Sequence, residues 1–419
     1  MTVLTAGSRG DVEPYVALGG GLADAGFTVR LATHAGFRDL AASRSLEFAE
    51  VATAGAHLAS DERWNALQHQ GDTAGRFVRR WRGVGRLARP LLDALLDDHW
   101  AACQGTDAVV SSIAAFGGPH MAAALGVPHA WALVQPVSPT RERPHLMAPG
   151  RPRLPALLNR STYRVADRVY AGMFHGALNR WLAANVGGRR AAVPRDGLFG
   201  PSAGPIVYGI SPSVLPPARD WPRTIVQRGY WFLEPGDDAP LPGEVAEFLA
   251  AGPPPVFVHA ARIGAAPPAE LAALVVRTLR RLGLRGLLSG PPPAEALPES
   301  VLATPPVPFH RLFPRVAAVV HHGGAGTTAA ALRAGVPSLG IPGFFDQAFW
   351  SARVAALGAG PLPLPGRRLT QARLEAALAR LVGDPSFRAR ARELGRRIRA
   401  ERGTADTAAH LRDVLGAGA

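Results

Sequence analysis

The segment His321-His322-Gly323-Gly324-Ala325-Gly326-Thr327-Thr328 has the residue types and spacing to hold an anion. A short apolar run, Ala317 to Val320, precedes it, and an Ala-rich stretch ending at Gly335 follows. Adjacent glycines at a strand-to-helix turn let the backbone approach a ligand, and the N–H groups of a helix start favour negative charge. His322 and Thr327 add side-chain donors, and the N–H groups of Gly326 and Thr328 would complete the nest. His321 should turn the other way, into the protein. One strand later come Asp346 and Gln347, a carboxylate beside an amide. That pair suits sugar hydroxyls better than a second phosphate, although Asp346 would equally suit the N-cap of a helix opened by Gln347. Diphosphate first and sugar next is the layout of a nucleotide-sugar site.

A second candidate group lies in the first loop, Gly7-Ser8-Arg9-Gly10-Asp11-Val12-Glu13-Pro14. Asp11 is either an acidic residue favoured by the helix dipole or a general base. Glu13 beside it is the alternative N-cap. Ser8, Arg9 and Gly10 would shape the loop, with Arg9 available to steer an acceptor or a phosphate. Gly7-x-x-Gly10 is not the dinucleotide fingerprint, which disfavours a nicotinamide enzyme. His34, His120, His129 and His145 are each a pocket residue or an ordinary packed histidine. No His or acidic spacing suggests a metal site, and the single cysteine, Cys103, excludes a disulfide or a cysteine cluster.

The chain is long enough for two domains, at 419 residues. Apolar residues at 47% and charged residues at 19% give a globular balance. The formal charge of +14 invites a nucleic-acid reading. Its positive residues are all arginine and spread along the chain, without the interleaved aromatics of a binding stripe, so no nucleic-acid partner is expected. The run Arg76 to Arg89 reads as a solvated helix face or a channel mouth. No apolar run is long enough to span a membrane, and the opening strand has no leader before it. The expectation is a cytoplasmic monomer or homodimer without stable membrane insertion.

Apolar strands alternate with helical stretches twice along the chain. In the first half, strands are expected at Thr2–Ala6, Thr28–Thr33, Phe48–Val51, Ala108–Ser111 and His129–Leu133, with a helix running from Pro14 to Ala25. Helical insertions are expected between about 60 and 100 and from about Leu154 to Leu182. They carry Trp64, Phe77, Trp81, Met173, Phe174 and Trp181, which would line an acceptor pocket or belong to the core. The prolines at 212, 216, 217 and 222 read as a connector leaving the first domain. A second alternating set begins at Val256. Such alternation implies parallel sheets covered on both faces, α/β in class.

These patches together resemble the family-one glycosyltransferases, in the bacterial antibiotic and sterol branch. The likeness rests on residues 308 to 360, on the opening loop Gly7 to Tyr15, and on Gly229-Tyr230-Trp231-Phe232-Leu233 through Phe248-Leu249. The resemblance implies the GT-B fold, two Rossmann-like parallel-sheet domains facing a cleft. Residues 1–215 would bind the acceptor and 223–395 the donor, with 396–419 returning to the first domain. It implies an inverting transfer from a UDP- or TDP-sugar to a lipophilic natural-product or sterol-like acceptor, with no bound metal or resident cofactor. Asp11 would take the acceptor proton, where many relatives use a histidine. His322 would contact the departing diphosphate, and Val307 with its backbone the nucleoside base. The chain departs from the pattern after Val256-Phe257-Val258. There His259-Ala260-Ala261-Arg262 replaces a Gly-Phe-Gly-Ser type of loop. Arg262 either contacts the diphosphate or fills the donor pocket. The alternative function is therefore a catalytically impaired scaffold acting as an auxiliary or ligand-binding protein.

Overall fold

The computed structural model describes residues 1–52, 89–148, 155–187, 190–233, 240–260, 263, 267–343 and 345–416. Two compact units emerge: Met1–Glu234 with Glu401–Ala419, and Pro235–Ala400. The first contains β1 (Thr2–Leu4), α1 (Arg9–Asp24), β2 (Arg30–Thr33), α2 (Arg38–Ala42), β3 (Glu47–Glu50) and α3 (Arg89–Cys103). It continues with β4 (Val109–Ser111), α4 (Gly118–Leu125), β5 (His129–Leu133), α5 (Ala156–Asn185), β6 (Ile206–Tyr208) and β7 (Ile225–Gln227). The second holds α6 (Gly243–Ala250), β8 (Val256–His259), α7 (Pro268–Arg281), β9 (Gly286–Ser289), β10 (Val301–Thr304) and α8 (Phe309–Leu312). Then come β11 (Ala318–His321), α9 (Ala325–Ala334), β12 (Ser338–Gly340), α10 (Gln347–Ala356), α11 (Gln371–Gly383) and α12 (Pro385–Ala400). The chain re-enters the first unit with α13 (Gly403–Leu415).

Each unit is built on one wholly parallel sheet, ordered β3-β2-β1-β4-β5-β6-β7 in the first and β10-β9-β8-β11-β12 in the second. Successive strand residues serve opposite faces. Val3, Leu31 and Val110 enter one core of the first unit, and Leu4, Ala32 and Val109 the other. In the second unit Val256, Val258 and Val320 face one core, Phe257 and Val319 its opposite. Strands buried on both faces are nearly continuous apolar runs, which is why they are legible in the sequence. Strand order reverses between β1 and β4 and between β8 and β11. In open parallel sheets, the crevice beyond the carboxyl ends at such a reversal is where ligands bind. The glycine turn follows β11, and the loop carrying Asp11 follows β1.

Three expectations about the first unit need correction. Helix α1 starts at Arg9, not Pro14; Ser8 is its N-cap, and Pro14 lies inside the helix. Pro14 has no N–H, so the Gly10 carbonyl lacks its ordinary helical donor. The proline run 212–222 does not leave the first unit, because β7 follows it and pairs with β6. The chain passes into the second unit only after Glu234, and α13 rather than residue 396 marks its return. The return is well packed. Ala408, Leu411 and Leu415 join the core beneath α1, and the Trp231 indole donates to Thr407 at 2.8 Å.

The second helical insertion is a single helix, α5, whose Trp181 is 4% exposed and meets Trp100 edge-on at 5.3 Å. Trp181 is therefore core rather than pocket lining. Trp64, Phe77, Trp81 and most of the run from Arg76 to Arg89 lie outside the described residues. Cys103 is buried, and burial pushes its thiol up to about 12. Thr370 caps α11, accepting from the Arg373 N–H. Among the described residues, no helix is long and apolar enough to cross a membrane.

Burial pushes His99 and His129 down to about 3 and His145 down to about 4, and it also takes His321 down to about 3. Each folded histidine binds fewer protons than its unfolded counterpart. Its contribution is complete above the ordinary value of 6.5 and is lost as pH falls toward 3–4. Asp167, raised to about 6 by burial, works in the opposite sense and recovers stability as pH falls through that value. Four groups outweigh one. Each histidine contributes up to about 1.4 kcal/mol per pH unit. Tm followed from pH 7 to pH 4.5 should fall steadily, and a flat profile would contradict this burial.

Candidate functional site

In the second unit, β11 is buried along its whole length and delivers the chain to Gly323, whose φ is +86°. A side chain is excluded there. A Cβ would lie 2.1 Å from Ser351 Oγ and 2.6 Å from the Gln347 carbonyl oxygen. Gly340 is constrained by the same neighbour, since its Cβ would come within 2.2 Å of Ser351 Oγ. The glycine turn is thus pressed against the first turn of α10, and Ser351 donates to Gln347 O at 2.7 Å. This contact brings the anion nest and the acid–amide pair together.

His321 and His322 part company as expected. The buried His321 accepts the Gly323 N–H at Nδ1, 3.1 Å away, and is held neutral by burial. His322 is half-buried and its ring covers the turn; a Cβ on Gly324 would lie 2.4 Å from His322 Nε2. Gly324 is the N-cap of α9. One donor in the expected nest is spent: the Thr328 N–H bonds the Gly324 carbonyl at 3.0 Å, closing the first helical turn. The first-turn donors are therefore the N–H groups of Ala325, Gly326 and Thr327, which have no partner within a helix. Thr328 also buries its hydroxyl, so it stands behind the site rather than in it.

Asp346 occupies the N-cap position of α10, but its side chain does not cap. Its Oδ2 accepts the buried Trp350 indole N–H at 2.9 Å. Gln347 Oε1 accepts the Gly343 N–H at 2.9 Å, which fixes which way round the amide lies. Phe345, just before the pair, has φ of +57°, a conformation costly for a bulky residue and concentrated at functional sites. Val307 is 8% exposed and packed into the core with Phe257 and Phe313. Its side chain cannot meet a nucleoside base, so only its backbone remains for that role. Arg262 lies outside the described residues.

In the first unit, Gly7 has φ of +133°, and a Cβ there would fall 2.8 Å from Asp11 Oδ2. That oxygen accepts both the Ser8 N–H at 2.9 Å and the Ser8 hydroxyl at 2.8 Å. Asp11 is thereby oriented at the first turn of α1. Arg9 pairs with Glu13 at 2.6 Å on an exposed helix face, so Glu13 is not the N-cap and the pair adds little stability. Gly10 is exposed in the first turn.

His34 braces this loop. The Gly7 N–H donates to its Nε2 at 2.9 Å, so its proton resides on Nδ1 and faces the Val51 carbonyl at 3.3 Å. Burial lowers its pKa, opposed by the Val51 bond and by Asp11. Its place directly after β2, the neighbour of β1, is a signal that strand ends alone could have supplied. His129 bonds Ser111, and the His145 backbone is tied to Thr162; both are packed histidines. Among the described residues, no group of His, Cys, Asp or Glu is arranged to hold a metal ion.

Known proteins resemble this chain in sequence and in fold. The profile of the glycosyltransferase family 28 N-terminal domain matches residues 1–143. That of the erythromycin biosynthesis protein CIII-like C-terminal domain matches 290–413. The sterol 3-beta-glucosyltransferase of Neosartorya fischeri is 34% identical over 420 residues, covering 97% of this chain and 29% of the relative. The enzyme of the same name from Yarrowia lipolytica is 34% identical over 423 residues, covering 96% and 28%. The chain thus spans less than a third of the length of these relatives. Among solved structures, the kitacinnamycin glycotransferase superposes with a TM-score of 0.72 at 17% identity, over 99% of this chain and 98% of the other. Glycosyltransferase VinC in complex with DTDP gives 0.66 at 23% identity over 100% of both. These likenesses establish the fold.

Gly323→Ala should destabilise the second unit by about 2 kcal/mol or more, from the left-handed backbone and the clash with α10. Adding Ser351→Gly should recover only part of this, because the Gln347 carbonyl cannot move aside. Denaturant unfolding of the single and double variants measures both. Full recovery would place the strain on the side chain alone.

Proposed function

We propose that the chain acts as a family-one GT-B glycosyltransferase and moves a sugar from a UDP- or TDP-sugar to a hydroxyl of a lipophilic acceptor. The carrying observation is the contact of the Gly323 turn with the start of α10, which joins an anion nest to an acid–amide pair. We assign the diphosphate to His322 and the N–H groups of Ala325, Gly326 and Thr327, in a turn shaped by Gly323 and Gly324. An imidazole and oriented N–H groups stabilise the charge that develops as the nucleoside diphosphate departs. Asp346, anchored through Oδ2 to Trp350, and Gln347, held through Oε1 by Gly343, orient the sugar. The backbone at Val307 meets the nucleoside base.

Asp11 acts as the base. With Oδ2 held by Ser8, it takes the proton of the acceptor hydroxyl as that oxygen attacks the anomeric carbon from the face opposite the diphosphate, inverting the centre. Ser8, Arg9 and Gly10 shape the acceptor loop. The nucleotide-sugar is a co-substrate; the reaction as proposed uses no resident cofactor and no metal, and takes place in the cytoplasm. The curated relatives carry sterol in their names, which supports a sterol-like acceptor here.

A second reading is a scaffold that no longer binds a donor. It is favoured by Arg262, an arginine where the resemblance calls for the serine of a small loop. The two readings separate on nucleotide binding. UDP or TDP at a hundred times its Kd should stabilise the protein by about 2.7 kcal/mol in a thermal-shift assay. Asp11→Asn should leave that shift intact. With UDP-glucose and a 3β-hydroxysterol, it should lower turnover by about a hundredfold or more. Retained turnover would remove Asp11 from the role of base, and NMR of the product's anomeric proton tests inversion.

A further inference from the structure

We propose that His259 is a second diphosphate ligand, set opposite His322 at the point where the strand order of the second sheet reverses. The inference deepens the donor reading above and rests on it. β8 and β11 are parallel neighbours, with Val258 in register with Val320. His259 ends the first strand and His322 immediately follows the other, so both imidazoles stand at the carboxyl edge beside the reversal. Their ring centroids are 5.8 Å apart and the rings are inclined by 76°. With N–H···O distances of about 2.9 Å, one phosphate group can accept from both rings at once.

The surroundings fix the His259 ring. Phe309 meets it edge-on at 5.8 Å, and Phe257 lies 6.1 Å away. An imidazole held by aromatic walls loses little freedom on binding, which favours its use as a ligand over an exposed, mobile cation. His321 cannot take this part, because it is buried and its Nδ1 is occupied by the Gly323 N–H. A glycine in place of His259 would leave phosphate recognition to backbone donors. This chain instead puts a side-chain donor on each side of the crevice.

The test compares affinities for UDP and UMP, and for TDP and TMP, by titration calorimetry. The proteins are wild type, His259→Phe and His259→Gln. His259→Phe keeps the packing against Phe309 and Phe257 but removes both ring nitrogens. His259→Gln keeps a hydrogen-bond donor. Wild type should prefer diphosphate to monophosphate, and His259→Phe should lose roughly tenfold or more of its diphosphate affinity while monophosphate binding changes little. His259→Gln should retain part of the preference, which a packing role alone would not produce. An unchanged or tighter diphosphate affinity in His259→Phe overturns this inference and leaves the donor reading standing. Wild-type protein that binds none of the four nucleotides overturns both.

Discussion

One backbone constraint organises the second unit. Between β11 and α9 the chain reverses through a left-handed residue while α10 lies directly against it, so neither Gly323 nor Gly340 can carry a side chain. Backbone in place of side chains lets the first-turn amides of one helix and the opening residues of the next share a single edge of the sheet. Trp350, buried and bonded to Asp346, keeps α10 in place, and Ser351 fills the space the glycines vacate. The functional groups are few; most of the local sequence is occupied with making that approach possible.

The fold was legible because both sheets are parallel and buried on both faces, which turns their central strands into plain apolar runs. β6, β7 and β10 are not legible in the sequence. They are only three or four residues long and sit at or near sheet edges, two of them amid prolines that read as linker. The tight turn after β11 is legible from its glycines, since adjacent glycines suit a close backbone approach. The division of labour inside it is not. That the Thr328 amide closes a helical turn and the Val307 side chain enters the core depends on the helix starting at Ala325 and on what packs below α8. Neither is written in residue types. Asp346 before Gln347 also suits an N-cap in the sequence. The carboxylate instead binds an indole four residues on, a contact set by the burial of Trp350.

The first unit uses a related device at its own strand reversal. Gly7 clears space for the Asp11 carboxylate, Ser8 holds one of its oxygens, and His34 grips the loop from the neighbouring strand through the Gly7 amide. A histidine with one nitrogen accepting from an amide and the other facing a carbonyl is locked in one tautomer. It behaves as a structural bracket rather than a proton carrier. Sequence spacing joins residues within a loop well, but it says nothing of the partner that an adjacent strand supplies.

The discontinuity of the first unit bears on its synthesis. Its core includes Ala408, Leu411 and Leu415 of α13, and Gly403 packs so closely on the Tyr230 carbonyl that no side chain would fit. A ribosome must therefore make the whole of Pro235–Ala400 before that core can close. Until then α1 offers an uncovered apolar flank to chaperones and neighbouring chains, while the second unit, contiguous in sequence, is free to fold first.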